Sequence, residues 1–215
     1  IVTGLVGSEM CIRDRSNLIV MSKLQVICVG EALIDKIINQ SDSNSKNYLG
    51  GAPANVACAL RKLKVPTAFI GCLGDDDFGR EFIKLFQKLN INIDFLQITK
   101  QFSTRIVKVV IDESGDRAFS GFKITKSNTF ADERLDKLVL NKKIKNLKKQ
   151  FLNTKYIVTG TNLLSSSKSA DSLNFILDYA KNFKIKVIID INWREIFWNQ
   201  SIVSTSSQFK KVKNF

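Results

Sequence analysis

Three short strings hold the side chains best suited to gripping a polar ligand. The first is Gly30-Glu31-Ala32-Leu33-Ile34-Asp35, which follows an apolar, β-branched run over residues 24–30. That run predicts a buried strand of a parallel sheet. Ligands of open α/β sheets bind at the carboxyl ends of such strands, and Asp35, placed there, accepts hydrogen bonds from hydroxyl groups. The second is Gly50-Gly51-Ala52-Pro53-Ala54-Asn55. Paired glycines admit a ligand close to the backbone, Pro53 suits the first turn of a helix, and that turn has unpaired N–H donors. Asn55 both donates and accepts, as vicinal hydroxyls require. The third is Asp190-Ile191-Asn192-Trp193-Arg194, with Trp198 downstream. Asn192 and Arg194 alternate to one side, and arginine suits a carboxylate or a phosphate. Each string also has a plain structural reading: a turn-capping Asp, a glycine pair that opens a helix, and a surface Arg beside a core Trp.

A fourth string, Asp75-Asp76-Asp77, invites a metal, but successive carboxylates do not converge on one ion. Helix capping and a favourable interaction with the helix dipole explain it more simply. No strand–GxGxxG–helix fingerprint and no GxxxxGK[ST] loop occurs in the sequence. The chain contains no histidine. Ser-His-Asp and Cys-His pairs, HExxH zinc sites and His acid–base chemistry are therefore excluded. Catalysis would rest on carboxylates, Lys, Arg, backbone dipoles or an oxygen-held metal. Of the four cysteines, Cys11, Cys28, Cys58 and Cys72, none forms a CxxC pair. They read as small core residues in a reducing compartment, and the expected location is cytoplasmic.

The elements that must position these strings alternate. Strands are expected over 24–30, 66–73, 93–98, 156–161 and 185–191. Helices are expected from Pro53 onward, after Asp77, over 131–151 and over 166–182. Strands separated by helices of that length imply βαβ units on a parallel sheet. Two segments interrupt the pattern: a polar strand pair near 36–49, and a hairpin at 104–122 around Glu113-Ser114-Gly115-Asp116. Together they predict a small β-sheet standing off the main one. With 215 residues the chain can bury a core of ordinary size. No apolar stretch approaches the roughly 20 residues of a membrane span. The net charge of +13 attracts anions, yet its densest block, residues 142–149, lacks aromatic interleaving for base stacking. It reads as a solvated helix face, with no nucleic-acid partner expected. Residues 1–20 do not match the rest of the chain in character: 5–15 resemble a translated sequencing adapter, the order is not that of a signal peptide, and Met21 is the expected start.

In their order across residues 24–215, these motifs resemble the ribokinase-like (PfkB) carbohydrate kinases. Gly50-Gly51-Ala52-Pro53-Ala54-Asn55-Val56-Ala57, followed by Gly71-Cys72-Leu73-Gly74-Asp75-Asp76-Asp77-Phe78-Gly79, is similar to the family's N-terminal signature. Gly30–Asp35 and Asp190–Trp198 are similar to its fructokinase branch. The resemblance implies a doubly wound, mostly parallel α/β domain over 21–215. Its small β-sheet lid, segments about 36–49 and 99–124, would close over a sugar and serve for homodimer contacts. It implies sugar contacts for Asp35, Gly50, Gly51 and Asn55. It implies substrate contacts for the lid residues Arg105 and Arg117, and contacts of Asn192 and Arg194 with substrate or phosphoryl group. It further implies ATP, Mg²⁺ and phosphorylation of a sugar hydroxyl. The family's Gly-Ala-Gly-Asp segment, with the general base, and its Asn-x-x-Glu magnesium motif are expected beyond Phe215. On that reading the C-terminal part of the domain is missing and residues 1–215 alone are inactive. Two alternatives stand beside it: a 2-keto-3-deoxygluconate kinase, which shares the Asp-x-Asn-x-Arg pattern, and a catalytically silent kinase-like binding protein.

Overall fold

The computed structural model describes residues 23–39, 45–111, 117–123, 129–193 and 195–198. The leader 1–20, the hairpin turn at 113–116 and Arg194 lie outside them. In chain order the elements begin with β1 (Val26–Val29), β2 (Leu33–Asn39), β3 (Ser45–Gly50), α1 (Ala52–Lys62), β4 (Thr67–Ile70), β5 (Cys72–Gly74) and α2 (Asp77–Lys88). They continue with β6 (Gln97–Thr99), β7 (Ile106–Ile111), β8 (Arg117–Phe122), α3 (Lys137–Asn146), α4 (Lys148–Leu152), β9 (Tyr156–Gly160), α5 (Ser167–Asn182) and β10 (Lys186–Asp190).

The main sheet has the order β10-β9-β1-β4, parallel throughout. Its central strand β1 reads Val-Ile-Cys-Val because both faces are covered, and alternate residues face different cores. Ile27 and Val29 belong to a core with Leu140 and Ile144 of α3 and Leu173 and Ile176 of α5. Val26 and Cys28 belong to another with Ala54 and Ala57 of α1 and Phe82 and Phe86 of α2. Helices on both faces of a parallel sheet make the doubly wound α/β arrangement. Burial pushes the Cys28 and Cys72 thiols up to about 12, so both are inert core side chains.

The predicted elements form, with three differences. The strand expected over 66–73 divides at Gly71, where a Cβ would lie 2.7 Å from the Gly30 carbonyl oxygen. Its second half, β5, pairs instead with β6, the remnant of the strand expected over 93–98. The helix expected over 131–151 is broken. A 3-10 turn at Ala131–Arg134 comes first; then Asp136 caps α3 by accepting from the Leu138 and Val139 N–H groups. No helix among the described residues is long and apolar enough to cross a membrane.

The second sheet has the order β3-β2-β7-β8. β2 and β7 run parallel, and the outer pairs are antiparallel. It joins the polar pair to the hairpin, as their interruption of the alternating pattern implies. Its hairpin strands begin at Ile106, residues 97–99 being paired with β5. Asp76 anchors its entry. One carboxylate oxygen accepts from the Gly79 N–H at 2.8 Å as the cap of α2, and the Thr104 N–H and hydroxyl donate to the same carboxylate at 2.7 and 2.8 Å. The capping reading of the acidic string therefore holds, and the cap also ties α2 to the segment that leads into β7.

Candidate functional site

A cavity of ≈ 180 Å³ lies where the carboxyl ends of the main-sheet strands meet the second sheet. From the main sheet it takes Glu31 after β1, Asn162 after β9 and Asn192 after β10. The start of α1 supplies Gly51, Ala52 and Asn55. Leu33 and Asp35 of β2, Val107 of β7 and Phe119 of β8 come from the second sheet, and Phe197 completes the wall. The volume is below the roughly 300–1,000 Å³ of drug-sized pockets, and suits one small molecule. The wall combines polar side chains (Glu31, Asp35, Asn55, Asn162, Asn192) with apolar ones (Leu33, Val107, Phe119, Phe197), as a ligand with both hydroxyl and C–H groups needs.

Asp35, Gly50, Gly51 and Asn55 are brought together. Antiparallel pairing of β2 with β3 sets Leu33 opposite Gly50 and Asp35 opposite Tyr48. A Cβ on Gly50 would collide with the Asp35 carboxylate. Gly51 has φ +99°, and a Cβ there would lie 2.6 Å from the Glu31 carbonyl oxygen. Both positions therefore need glycine, one for space and one for conformation as well. Gly51 caps α1, its carbonyl accepts from the Asn55 N–H at 2.9 Å, and Asn55 is exposed in the first turn. Asn192 also reaches the cavity. Its N–H donates to Asp190 Oδ1 at 3.1 Å, and the Thr161 hydroxyl donates to the Ile191 carbonyl at 2.5 Å. The loop after β10 is thereby pinned to the turn after β9.

Arg105 requires correction. It precedes β7, is buried, and does not line the cavity. Its guanidinium pairs with Asp132 at 2.9 Å and Glu133 at 2.5 Å and lies 4.5–4.8 Å from the ring centres of Phe122, Phe130 and Phe197. Burial opposes the charge, but the two carboxylates outweigh it and hold the pKa above the ordinary arginine value. Arg105 thus packs Phe197, a cavity wall, from behind, and its Nε and Nη2 donate to protein carboxylates. Sequence reasoning saw an arginine at a strand start and had no means of seeing the inward-facing carboxylates of the 3-10 turn. Arg117 heads β8, with its side chain outside the described region, as is Arg194.

Two cavity residues with polar side chains were missed. Glu31 is 2% exposed, and its Oε1 accepts from Asn162 Nδ2 at 3.1 Å and from the Ala52 N–H at 3.3 Å. It links the ends of β1 and β9 with the start of α1. Burial pushes its carboxyl up to about 7, and Asp132 adds to the rise, although hydrogen bonds from its own backbone, Asn162 and Ala52 pull the other way. Glu31 could have been found as a carboxylate at the end of an otherwise apolar strand; Asn162 had no signal in the sequence.

Among the described residues the cavity wall carries two carboxylates and no Lys or Arg. That donor set fits a neutral polyhydroxy ligand and does not fit a phosphate chain. No group of three His, Cys, Asp or Glu side chains among the described residues could hold a metal. The Asn-x-x-Glu spacing expected beyond Phe215 does occur once within the chain, at Asn192–Glu195, but the Glu195 side chain lies outside the described region.

A doubly wound parallel sheet, with a small mixed sheet across the mouth of a polar cavity at its strand ends, defines the ribokinase-like class of fold. Comparison with known proteins agrees. Residues 23–211 match the pfkB family carbohydrate kinases, and the chain belongs to that family. A fructokinase from Xylella fastidiosa, solved with bound ATP, superposes with a TM-score of 0.73 at 25% identity, covering 87% of this chain and 58% of that one. Probable fructokinase-5 of Arabidopsis thaliana is 35% identical over 123 residues, 54% of this chain and 37% of the relative. The 5-dehydro-2-deoxygluconokinase of Clostridium botulinum (strain Alaska E43 / Type E3) is 29% identical over 185 residues, 82% of this chain and 51% of the relative. The chain thus spans between about a third and three fifths of the length of these proteins.

Proposed function

We propose that the cavity binds a neutral ketohexose of the fructose type, and that the protein phosphorylates one of its hydroxyls with ATP. The observation that carries the reading is the convergence of Asp35, Gly51 and Asn55 on one small cavity whose described wall holds carboxylates and amides but no cation. Asp35 accepts from the sugar's hydroxyls, Asn55 donates and accepts, and the glycines let the ring approach the backbone. Leu33, Val107, Phe119 and Phe197 cover its C–H faces. The second sheet acts as the lid: it supplies Asp35, Val107 and Phe119, so ligand contact draws it onto the main sheet and excludes water. ATP enters by analogy with the family, as does Mg²⁺. The Gly-Ala-Gly-Asp string, to which the family resemblance assigns the general base and the anion-stabilising donors, does not occur in the sequence. Donors of that kind are worth about 10²–10³-fold each and a positioned base typically about 10²–10⁴-fold. Residues 1–215 therefore bind sugar without measurable turnover.

A second reading has a specific support. The 5-dehydro-2-deoxygluconokinases align over more of the chain than the plant fructokinases do. An acid sugar needs a cation for its carboxylate, and Arg194, two residues after Asn192 in the chain, would be the residue to supply one. The test is calorimetric titration of the chain with D-fructose and with 5-dehydro-2-deoxygluconate. Binding of fructose alone supports the first reading. Binding of the acid alone, abolished by Arg194→Ala, replaces it with the second.

A further inference from the structure

Among the described residues three buried side-chain polar atoms have no hydrogen-bond partner: Arg134 Nε, Trp198 Nε1 and Asn162 Oδ1. Of these three residues only Asn162 lines the cavity. It stands in the 3-10 turn that follows β9, 6% exposed, at the carboxyl end of a strand next to the centre of the sheet. Its amide orientation is fixed from behind. Nδ2 donates to Glu31 Oε1, which also takes the Ala52 N–H, so the Glu31 oxygen is engaged as an acceptor on two sides. The other end of the amide, Oδ1, is then left as an acceptor. A buried carbonyl oxygen without a donor is costly, and the cost is removed when a bound molecule supplies one.

We propose that Asn162 is a specificity-determining residue of the ligand site, its Oδ1 accepting a hydrogen bond from one hydroxyl of the bound polyol, and that Glu31 is the positioning residue that holds the amide this way round. The inference rests on the polyol reading of the cavity. It adds a direction to that reading: at this point the ligand must donate, so a hydroxyl is accepted, whereas a ketone, a carboxylate or a deoxy carbon is rejected. A site built around an unpaired acceptor discriminates against analogues that leave it unpaired. Glu31 matters because a side chain with no acceptor would let the amide turn, and a Gln at 31 would restore the acceptor.

The test is calorimetric titration of the chain with D-fructose and its monodeoxy analogues. For the wild-type chain one analogue is expected to bind about tenfold more weakly than D-fructose. In Asn162→Leu, D-fructose should weaken by about the same factor, and that analogue should bind no worse than D-fructose. Glu31→Leu should reproduce this loss of discrimination, and Glu31→Gln should retain it, which a merely structural role for Glu31 would not predict. Asn162→Leu keeping the wild-type order of analogues overturns the inference while leaving the polyol reading intact. A wild-type chain that binds no sugar overturns both. A measurement free of variants is the Asn162 side-chain amide resonance, which should shift on saturation with D-fructose; an unmoved resonance refutes the contact even if the leucine variants fail to fold.

Discussion

Replacing Glu31 with glutamine should remove a pH dependence of stability whose size is set by its burial. The carboxyl ordinarily titrates at 4.5 and is held at about 7 in the folded protein, chiefly by burial. The folded state therefore binds this proton more tightly than the unfolded state. Stability falls as pH rises from about 4.5 through about 7, and is level above that. A difference of about 2.5 units corresponds to about 3 kcal/mol. In a chain of this length that is roughly 6–12 °C of thermal midpoint. The absence of histidine leaves the interval between pH 5.5 and 7.5 free of the side chain that usually dominates it. Glu31→Gln keeps an oxygen for the Asn162 and Ala52 donors and carries no charge, so it escapes the burial cost at high pH. The assay is urea unfolding of both proteins at half-unit steps from pH 5 to 8. The variant should gain on the wild type progressively and reach its full advantage near pH 8. Parallel profiles would show that Glu31 is not a buried titrating group and would refute the reasoning.

Arg105→Ala should cost about 3–5 kcal/mol in chemical unfolding, because it leaves Asp132 and Glu133 without their buried partner. It should weaken sugar binding as well, since Phe197 loses the guanidinium it packs on; a change below 1 kcal/mol would contradict the buried pair. Gly51→Ala should lose about 1–3 kcal/mol through its positive φ and its approach to the Glu31 carbonyl. Asp35→Ala should lower D-fructose affinity about tenfold or more, read by calorimetry on protein whose fold is checked by circular dichroism. Asp76→Ala should cost about 1–2 kcal/mol as a lost helix cap. It should also speed hydrogen exchange at the Thr104 amide, whose acceptor it removes.

The architecture was legible because its cause is local. Strands buried on both faces must be continuously apolar, as Val26–Val29 is, and helices that cover them must repeat at helical spacing, as Phe82 and Phe86 do on α2. The two polar interruptions could be read as a separate sheet for the same reason, since strands with exposed positions such as Ser45–Tyr48 do not fit the core. Asp35, Gly50, Gly51 and Asn55 were legible because glycine pairs and a helix start constrain the backbone within a few residues.

What the amino-acid order determined on its own was thus the periodicities, the turns and the composition of each strand end. Those depend on neighbours within one turn or one strand. Only the folded chain decided which polar groups face one another across long sequence separations. Arg105 became a buried strut because Asp132 and Glu133, 27 and 28 residues away, turn toward it. Glu31 met Asn162 across 131 residues because β1 and β9 are adjacent in the sheet. Electrostatic partnership and burial belong to three-dimensional neighbourhoods, and no spacing along the chain encodes them.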